Sequence, residues 1–580
     1  MTAASPPAAG AGARTGSPDT AEPQSLSATM SRQRVLLVLT SVILGMLLAS
    51  IDQTIVGTAM PRIIADLNGL DHYAWVATSY LLASTVAVPI WGKLSDIYGR
   101  KLFFIGGMVL FLVGSALSGT SQSMTQLIIF RAIQGLGGGA MMPIAMALIG
   151  DLFPPAERGK WQGVLMAVFG LSSIIGPTAG GWITDNWGWR WTFYVNMPVG
   201  AVALVVALLV LPAAGARRKH QIDYWGSAAL IAGAVPLLLA FSWAGTQYAW
   251  GSTQVIGLLA VAVVMLAAFV MIEMRAPEPI ITPALFKNRT FSISVLATFL
   301  TAAGMFGAII YLPLFVQGVL GNSATSSGAV TTPMMIGFIV SSIAGGQILS
   351  RTGRYKFLAI GGFAVAALGL FLLSRMGIST SNGVVIRNMI IMGLGIGVSM
   401  SLFTIIVQNA FPFSYLGQVT ASLTFFRSMG STIGIAVFGS VMTNQFQRAL
   451  AHNLSPALTR AIPARQLAAF QNPQLLLAPG AAGHIQQAFA RLGPQGLTLF
   501  RQLMQAIRVS LTSAITDLFF VGGCAMVLAL IAVLFLPELP LRTRNQAPGV
   551  EGAVEDAAES LPLAPDRAET PALVGQGARG

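Results

Sequence analysis

Gly92-Lys-Leu-Ser-Asp-Ile-Tyr-Gly-Arg-Lys101 is a short charged stretch between two long apolar segments, residues 73–92 and 103–120. A polar stretch with glycines in this position predicts a loop that joins two membrane-crossing helices. The same spacing recurs 254 residues later, where Gly92, Asp96, Gly99 and Arg100 correspond to Gly346, Ser350, Gly353 and Arg354. The loop and its copy therefore indicate a duplicated chain.

Two further sets of residues repeat at nearly the same offset. Arg131 corresponds to Arg387, which lies 256 residues later. Three glycines correspond to three others at an offset of 258, namely Gly159, Gly176 and Gly181 to Gly417, Gly434 and Gly439. A nearly constant offset over three helices predicts two parallel six-helix halves, with a substrate site between them near the bilayer midplane.

The composition is that of a chain embedded in lipid. Of its 580 residues, 54% are hydrophobic and 9% are charged, and the mean hydropathy is +0.72. Soluble domains contain about 25% charged residues, so this chain lacks the polar side chains needed to cover a water-exposed surface. We therefore predict an all-α polytopic membrane protein.

Fourteen apolar segments are long enough to cross about 30 Å of hydrocarbon at about 1.5 Å per residue. They are residues 35–59, 73–92, 103–120, 124–149, 161–184, 192–212, 224–244, 254–274, 290–317, 325–349, 356–376, 383–407, 416–443 and 510–536. We expect an N-terminal six-helix bundle at 35–212, two inserted helices with their linkers at 213–289, and a C-terminal six-helix bundle at 290–536. Residues 1–34 and 537–580 have the composition of disordered tails.

The six lysines test the number and direction of these spans. They are Lys93, Lys101, Lys160, Lys219, Lys287 and Lys356. If both termini are cytoplasmic, all six fall on the cytoplasmic side, as the positive-inside rule requires. The net charge of +13 therefore fits membrane topology, and we expect no nucleic-acid partner. The low lysine and high arginine, alanine and glycine content is typical of a GC-rich bacterium, so we expect the inner (cell) membrane.

The sequence contains no cofactor or catalytic signature. The single cysteine, Cys524, excludes a disulfide framework and a cysteine-rich metal site. There is no GxxxxGK[ST] phosphate-binding loop, and the GxGxxA match at 135–140 lies within a predicted span and outside any βαβ unit. We therefore predict a protein that is not an enzyme and that binds no metal or cofactor.

Residues 444–509 form the one long loop predicted on the extracytoplasmic side, and this loop is basic. It holds six arginines, two histidines and no acidic residue. Short amphipathic runs near 484–492 and 497–510 predict that the loop is partly helical. It is either a solvated linker or a surface for anionic lipid headgroups or envelope glycans, since basic amphipathic helices bind such surfaces.

Asp52 is the one acidic residue that lies well inside a predicted span. At about 1.5 Å per residue it lies about 27 Å above the inner end of its helix, at a depth similar to that of Arg131 in the fourth span. An intramembrane carboxylate is a candidate functional group, and a nearby arginine is its expected partner. The pair either binds and releases the transported proton or is a permanent structural ion pair.

Five stretches make the chain resemble the major facilitator superfamily, specifically its fourteen-span drug:proton antiporters of the EmrB/QacA type. They are Ser50–Pro61 in the first span, Gly92–Lys101, Gly176–Gly181 in the fifth span, Trp189–Pro198 and Tyr311–Gln317. The resemblance covers about residues 30–540. It implies the major facilitator fold, and it implies that Asp52 and Arg131 take part in proton-coupled transport.

Two of these stretches also have a physical interpretation. Asp96 and Arg100, with Gly92, Gly99 and Lys101, suit a charge latch between helix ends that holds one conformation. In the fifth span Pro177 removes a backbone hydrogen bond, and small residues allow close helix contact. Those residues, Gly176, Pro177, Gly180 and Gly181, resemble the antiporter motif. We expect them to seal the interface between the halves, although ordinary helix packing explains them almost as well.

The substrate cavity is expected between the halves. Its candidate residues are Arg427, Gln134, Gln317, Tyr311, Phe306 and Met141. Methionine and aromatic side chains adapt to varied apolar shapes, and the second half has no deep carboxylate. We therefore predict a monomeric, proton-coupled antiporter that exports lipophilic monocations or neutral amphiphiles (multidrug efflux). The alternatives are a proton-coupled exporter of lipid or glycolipid, and a passive facilitator or sensor.

Overall fold

The computed structural model describes residues 30–67, 73–212, 222–245, 247–320, 324–412, 415–456, 458, 487, 489 and 493–541. Within these residues, fourteen helices are long and apolar enough to cross a membrane. The protein is an all-α, multi-pass membrane protein, as the sequence predicted. Most of the two predicted tails lies outside the described residues.

The helices fall into two sets of six with a pair between them. The N-terminal half consists of α1 (Arg32–Leu67), α2 (Tyr73–Tyr98), α3 (Arg100–Thr120), α4 (Met124–Leu152), α5 (Pro155–Asn186) and α6 (Asn196–Val210). The inserted pair is α7 (Tyr224–Trp243) and α8 (Thr253–Glu273). The C-terminal half consists of α9 (Arg289–Leu314), α10 (Ala324–Thr352), α11 (Lys356–Ser374), α12 (Asn382–Ala410), α13 (Leu416–Asn453) and α14 (Gly493–Leu534).

The two halves use the same set of helix contacts. In the N-terminal half α4 packs on α1, α2 and α3, and α1 packs on α5 and α6. In the C-terminal half α12 packs on α9, α10 and α11, and α9 packs on α13 and α14. Each contact therefore has a counterpart eight helices later, as a duplicated chain requires. Between the halves α5 packs on α10 and α2 packs on α13, which are again equivalent contacts.

The repeated loop has the same backbone turn in both halves. Gly99, between α2 and α3, has φ +97°, and Gly353, between α10 and α11, has φ +68°. Side chains with a Cβ rarely adopt this conformation, which explains a glycine at both positions. Lys93, Lys101 and Lys356 lie at these two turns, and we call this end of the helix bundle the lysine end.

The inserted helices lie against one side of the contact between the halves. Helix α7 packs on α2 of the N-terminal half and on α13 of the C-terminal half, and α8 packs on α7. The linker after α8 contains a short 3₁₀ helix, Pro283–Lys287, and leads into α9 at the lysine end. Helix α7 therefore contacts both halves, and the linker after α8 reaches the lysine end.

The predicted basic loop 444–509 is shorter than expected, because helix extends into it from both sides. Helix α13 runs to Asn453 and α14 begins at Gly493. These extensions are amphipathic, with Arg501 exposed and Leu503 buried in the first turns of α14. A search for apolar spans misses such segments because it detects only the part of a helix that lipid surrounds. Most of the intervening residues lie outside the part of the chain that the structure describes.

Candidate functional site

Asp52 is fully buried on α1, among side chains of two other helices. Its Oδ2 accepts a hydrogen bond from Arg131 Nη1 at 2.6 Å. Its Oδ1 accepts hydrogen bonds from Gln134 Nε2 at 2.8 Å and from Asn196 Nδ2 at 3.0 Å. Arg131 and Gln134 belong to α4, and Asn196 begins α6. The carboxylate therefore has the ionic and hydrogen-bond partners that a buried charge needs.

The guanidinium of Arg131 is equally enclosed. Its Nη1 also donates a hydrogen bond to Gln134 Oε1 at 2.7 Å, so the amide of Gln134 bridges the two charged groups. Its Cζ lies 4.3 Å from the centre of the Tyr80 ring, within the range of a cation–π contact. We call Asp52, Arg131, Gln134, Asn196 and Tyr80 the Asp52 cluster.

A cavity of about 320 Å³ lies between the two halves. Its walls come from α1 and α5 of one half and α9, α10 and α12 of the other: Gln53, Thr54, Phe169, Ser173, Met305, Phe306, Ile309, Leu312, Pro313, Met334, Met335, Phe338, Gly393 and Ile396. Gln53 directly follows Asp52 in α1 and is exposed in the cavity wall. The cavity therefore adjoins the Asp52 cluster through neighbouring residues of α1.

The predicted cavity residues are only partly brought together. Phe306 lines the cavity, but Gln134 and Met141 do not. Gln134 is bound to Asp52 and Arg131, and Met141 is fully buried in the hydrophobic core. Glycines of α4 let α2 and α3 approach the backbone of α4 closely. The part of α4 that carries Gln134 and Met141 therefore faces these helices and not the cavity.

Tyr311, Gln317 and Arg427 also lie outside the lining of this cavity. Tyr311 is half-buried with its hydroxyl close to Gly439 of α13, and Gln317 is half-buried in the π-helical turn that follows α9. Arg427 of α13 is 6% exposed, and its Nη2 lies 3.1 Å from the sulfur of Met142. Within the described residues, no carboxylate lies within 4 Å of Arg427.

Asp96 joins the two halves at the lysine end. Its carboxylate accepts hydrogen bonds from the backbone N–H groups of Gly417 at 3.1 Å and Gln418 at 2.7 Å. These two residues begin α13, so Asp96 of α2 caps a helix of the other half, where a negative charge is favoured. Arg100 forms ion pairs with Asp96 and, at 3.0 Å, with Asp151 at the end of α4.

The other predicted latch residues have different roles. Gly92 lies directly against Ala421 of α13, so a side chain at position 92 would collide with that helix. Gly99 forms the left-handed turn. Lys101 takes no part in the ion pairs described above. It donates a hydrogen bond to the carbonyl oxygen of Leu208, near the end of α6, at 2.7 Å.

The Gly176–Gly181 segment does not lie between the halves, contrary to the expectation. Cβ atoms at Gly176 and Gly180 would meet Thr54 and Thr58 of α1, which belongs to the same half. A Cβ at Gly181 would meet nothing within 4 Å. Pro177 lies within the continuous helix α5. These glycines therefore allow α1 and α5 to pack closely, because an intervening methyl group would separate the helices.

The contact between the halves uses other glycines, which sequence reasoning did not single out for this role. Gly159 of α5 and Gly346 of α10 lie backbone to backbone, so that a Cβ on either would overlap the carbonyl oxygen of the other. Nearby, Gln408 of α12 accepts a hydrogen bond from Gln162 at 3.1 Å and donates one to Thr420 at 2.9 Å. The only available signal was that Gly159 and Gly346 belong to the two repeated glycine sets.

Comparisons with known proteins agree with this architecture. The profile described as Major Facilitator Superfamily matches residues 42–435. The multidrug transporter protein MdtP of Bacillus subtilis is 40% identical over 538 residues, covering 90% of this chain and 97% of that protein. Multidrug resistance protein 3 of the same organism is 39% identical over 509 residues, covering 87% and 96%.

Solved structures share the fold at low sequence identity. The proton:xylose symporter XylE superposes with a TM-score of 0.57 at 14% identity, covering 89% of this chain and 98% of that one. The human organic anion transporter MFSD10 superposes with a TM-score of 0.56 at 14% identity, covering 86% and 100%. The profile matches more than half of the chain, and the two Bacillus subtilis relatives match over nearly their full length. This chain is therefore a transporter and not an enzyme, and it belongs to the Major Facilitator Superfamily.

Proposed function

We propose that the protein is a proton-coupled antiporter that exports lipophilic monocations or neutral amphiphiles from the cytoplasm. Two relatives named as multidrug transport or resistance proteins support an efflux function. The observation that carries the proposal is the position of Asp52, a fully buried carboxylate whose neighbour in the chain, Gln53, lines the cavity between the halves.

The Asp52 cluster supplies the chemistry for coupling. Burial favours the protonated form of a carboxylate, and an adjacent arginine favours the ionised form. A movement that lengthens the contact between Asp52 and Arg131, or that hydrates it, changes which form is favoured. Gln53 lines the cavity directly beside Asp52 in the chain, so the proton and the substrate act on neighbouring residues of α1.

The cavity wall suits apolar substrates. Phenylalanine and methionine supply six of the fourteen lining residues, and among the described residues no carboxylate lines it. Phe169, Phe306 and Phe338 can contact a flat cation or an apolar ring, and Met305, Met334 and Met335 adapt to different shapes. A dication would require acidic partners in this medium, so we propose substrates with one positive charge or none.

The closed lysine end fits one state of an alternating-access cycle. We infer that this end faces the cytoplasm, because the lysines concentrate there. Asp96 capping α13 and the contact between Gly159 and Gly346 hold the two halves together at that end. Release of these contacts, with closure on the opposite side, would open the cavity to the cytoplasm.

One titrating carboxylate suggests about one exchanged proton per cycle. Exchange of one proton for one monocation moves no net charge, so a gradient of one pH unit supplies about 1.4 kcal/mol. A neutral substrate would gain about 2.3 kcal/mol more at 100 mV, because the proton alone then carries charge. Transport of the two substrate types should therefore differ in its dependence on membrane potential.

The test is transport in proteoliposomes under an imposed pH gradient, with a fluorescent lipophilic monocation as substrate. We expect gradient-driven accumulation by the natural protein and its loss in Asp52→Asn, whereas Asp185→Asn transports normally. Asp185 is an exposed carboxylate on α5, so this variant controls for the loss of a charge. Accumulation by Asp52→Asn equal to that of the natural protein would refute coupling through Asp52, and accumulation without a gradient would refute proton coupling itself.

The lipid-export alternative has a separate readout. It is favoured by exposed arginines on the extended parts of α13 and α14, namely Arg448, Arg501 and Arg508. Replacing these three residues by alanine should leave dye transport unchanged if the substrates are small drugs. A loss of lipid translocation to the outer leaflet in the triple variant, measured with a fluorescent anionic phospholipid, would support lipid export.

A further inference from the structure

Two carboxyl groups meet at the lysine end in a place that the proposed transport route does not use. Asp223 caps the start of α7, and its Oδ1 accepts a hydrogen bond from Gly226 N at 2.7 Å. Glu273 ends α8, is 2% exposed, and its Oε2 accepts a hydrogen bond from Ile281 N at 3.2 Å. Each carboxyl group therefore has one oxygen with a backbone donor.

The other two oxygens are buried and have no hydrogen-bond partner among the described residues. They are Asp223 Oδ2 and Glu273 Oε1, and they point to the same spot. A Cβ built on Gly226 would lie 2.7 Å from the Glu273 oxygen and still closer to the Asp223 oxygen. Two acceptor atoms that converge without a donor are unfavourable unless something positive lies between them.

We propose that Asp223 and Glu273 share a single proton and form a second proton-binding site, separate from the Asp52 cluster. When two carboxyl groups occupy one buried site, the charge of the first opposes ionisation of the second, so the pair retains one proton. That proton would make one group the donor that both unpartnered oxygens lack. The site does not depend on the proposed transport function.

Within the part of the chain that the structure describes, the charged groups around the pair are few. There Lys93 of α2 is a nearby cation, and it forms an ion pair with Glu278 of the α8–α9 linker at 3.6 Å. Lys93, Asp223 and Glu278 line one small cavity of about 20 Å³ beside the pair. Because Lys93 forms an ion pair with Glu278, its single positive charge does not neutralise both Asp223 and Glu273. The shared proton supplies the charge that is missing.

The pair is linked to the contact between the halves through the α8–α9 linker. Glu273 holds the backbone of Ile281, and the Gln418 side chain donates hydrogen bonds to the carbonyl oxygens of Pro279 at 2.9 Å and Ile280 at 2.8 Å. Gln418 is also one of the two residues whose backbone N–H groups Asp96 binds. Loss of the shared proton would place two negative charges beside this linker and loosen its hold on the start of α13.

The experiment is infrared difference spectroscopy of the purified full-length protein, stepped between acidic and alkaline buffer. In the natural protein we expect an absorption band of a protonated carboxyl group that disappears at high pH. In Glu273→Gln and in Asp223→Asn, the same pH step should show no such band. Glu157→Gln, an exposed glutamate at the same end, should retain the band. Potentiometric titration should show about one proton fewer released by each of the two variants over the same range.

Two results would overturn the proposal. The first is an unchanged band in both Glu273→Gln and Asp223→Asn, which would mean that the pair holds no proton. The second is release of the same number of protons by the natural protein and by both variants over the same pH range, which would mean that the pair binds no titrating proton. If either amide variant fails to fold, Gly226→Ala takes its place, since it keeps both carboxyl groups and inserts a methyl between them. The proton should then be released at lower pH than in the natural protein.

Discussion

Arg131 is the ionic partner of a carboxylate that has no access to solvent. Replacing it by glutamine leaves Asp52 charged and buried, and breaking a buried ion pair in this way destabilises proteins by about 3–5 kcal/mol. We therefore expect a markedly lower unfolding temperature for Arg131→Gln in detergent. The double variant Asp52→Asn/Arg131→Gln should recover much of the loss, because no charge then remains. Equal unfolding temperatures for Arg131→Gln and the natural protein would contradict a structural contribution of the pair.

The sequence identified Asp52 and Arg131 because charged residues are rare in apolar helices and each position can be converted into a depth. It did not identify Asn196 or Tyr80 as their partners. Uncharged polar and aromatic residues occur throughout membrane helices, and their role depends on which way the helix faces. Gln134 shows the same limit, since it was predicted in the cavity but faces Asp52, on the side of α4 that packs against other helices.

At the scale of helices, the prediction of fourteen spans was accurate because lipid-facing residues must be apolar along the whole span. The orientation of a glycine face was not predictable. Gly176 and Gly180 were expected to face the other half, but a small-residue face only requires a close neighbour and does not say which helix that neighbour is. In this protein the neighbour of the Gly176 face is α1.

Gly176 and Gly181 offer a matched pair of variants on one helix. A methyl at Gly176 would collide with Thr54, whose hydroxyl donates a hydrogen bond to the Ser172 carbonyl at 3.1 Å, whereas a methyl at Gly181 meets nothing within 4 Å. Overpacking of this kind destabilises by about 1–3 kcal/mol, and alanine is favoured over glycine within a helix by about 1 kcal/mol. We expect Gly176→Ala to lower the unfolding temperature and Gly181→Ala to maintain or raise it. Identical behaviour of the two would show that the contact with α1 is not required.

At the scale of the whole molecule, the two halves close the lysine end through equivalent but chemically different contacts. On one side Asp96 of α2 binds the start of α13 through charge and hydrogen bonds. On the other side, Ser350 of α10 is the residue equivalent to Asp96. The contact between α10 and α5 there depends on the close approach of Gly346 to Gly159. Because one of the two contacts is ionic, a single substitution can weaken the seal without changing the core of either half.

Asp96→Ala should shift the molecule toward a state open at the lysine end. The substitution leaves the N–H groups of Gly417 and Gln418 without their acceptor, and a buried donor left unpaired costs about 1–3 kcal/mol. A shift of about 1.4 kcal/mol changes an equilibrium tenfold. Ser422 of α13 is 1% exposed, and its hydroxyl has no hydrogen-bond partner within the described part of the chain. In a Cys524→Ser background, Ser422→Cys therefore provides a buried thiol near this seal.

We expect a water-soluble thiol reagent to label Cys at position 422 slowly in the closed protein and about tenfold faster when Asp96→Ala is added. Asp66→Ala is the matched control, because Asp66 also accepts a hydrogen bond from another element, Trp189 Nε1 at 2.8 Å, but lies at the opposite end of the bundle. It should leave the labelling rate unchanged. Equal rates with and without Asp96→Ala would mean that the glycine contact between α5 and α10 alone holds the lysine end closed. In that case Gly346→Leu, which forces these helices apart, should be the variant that opens it.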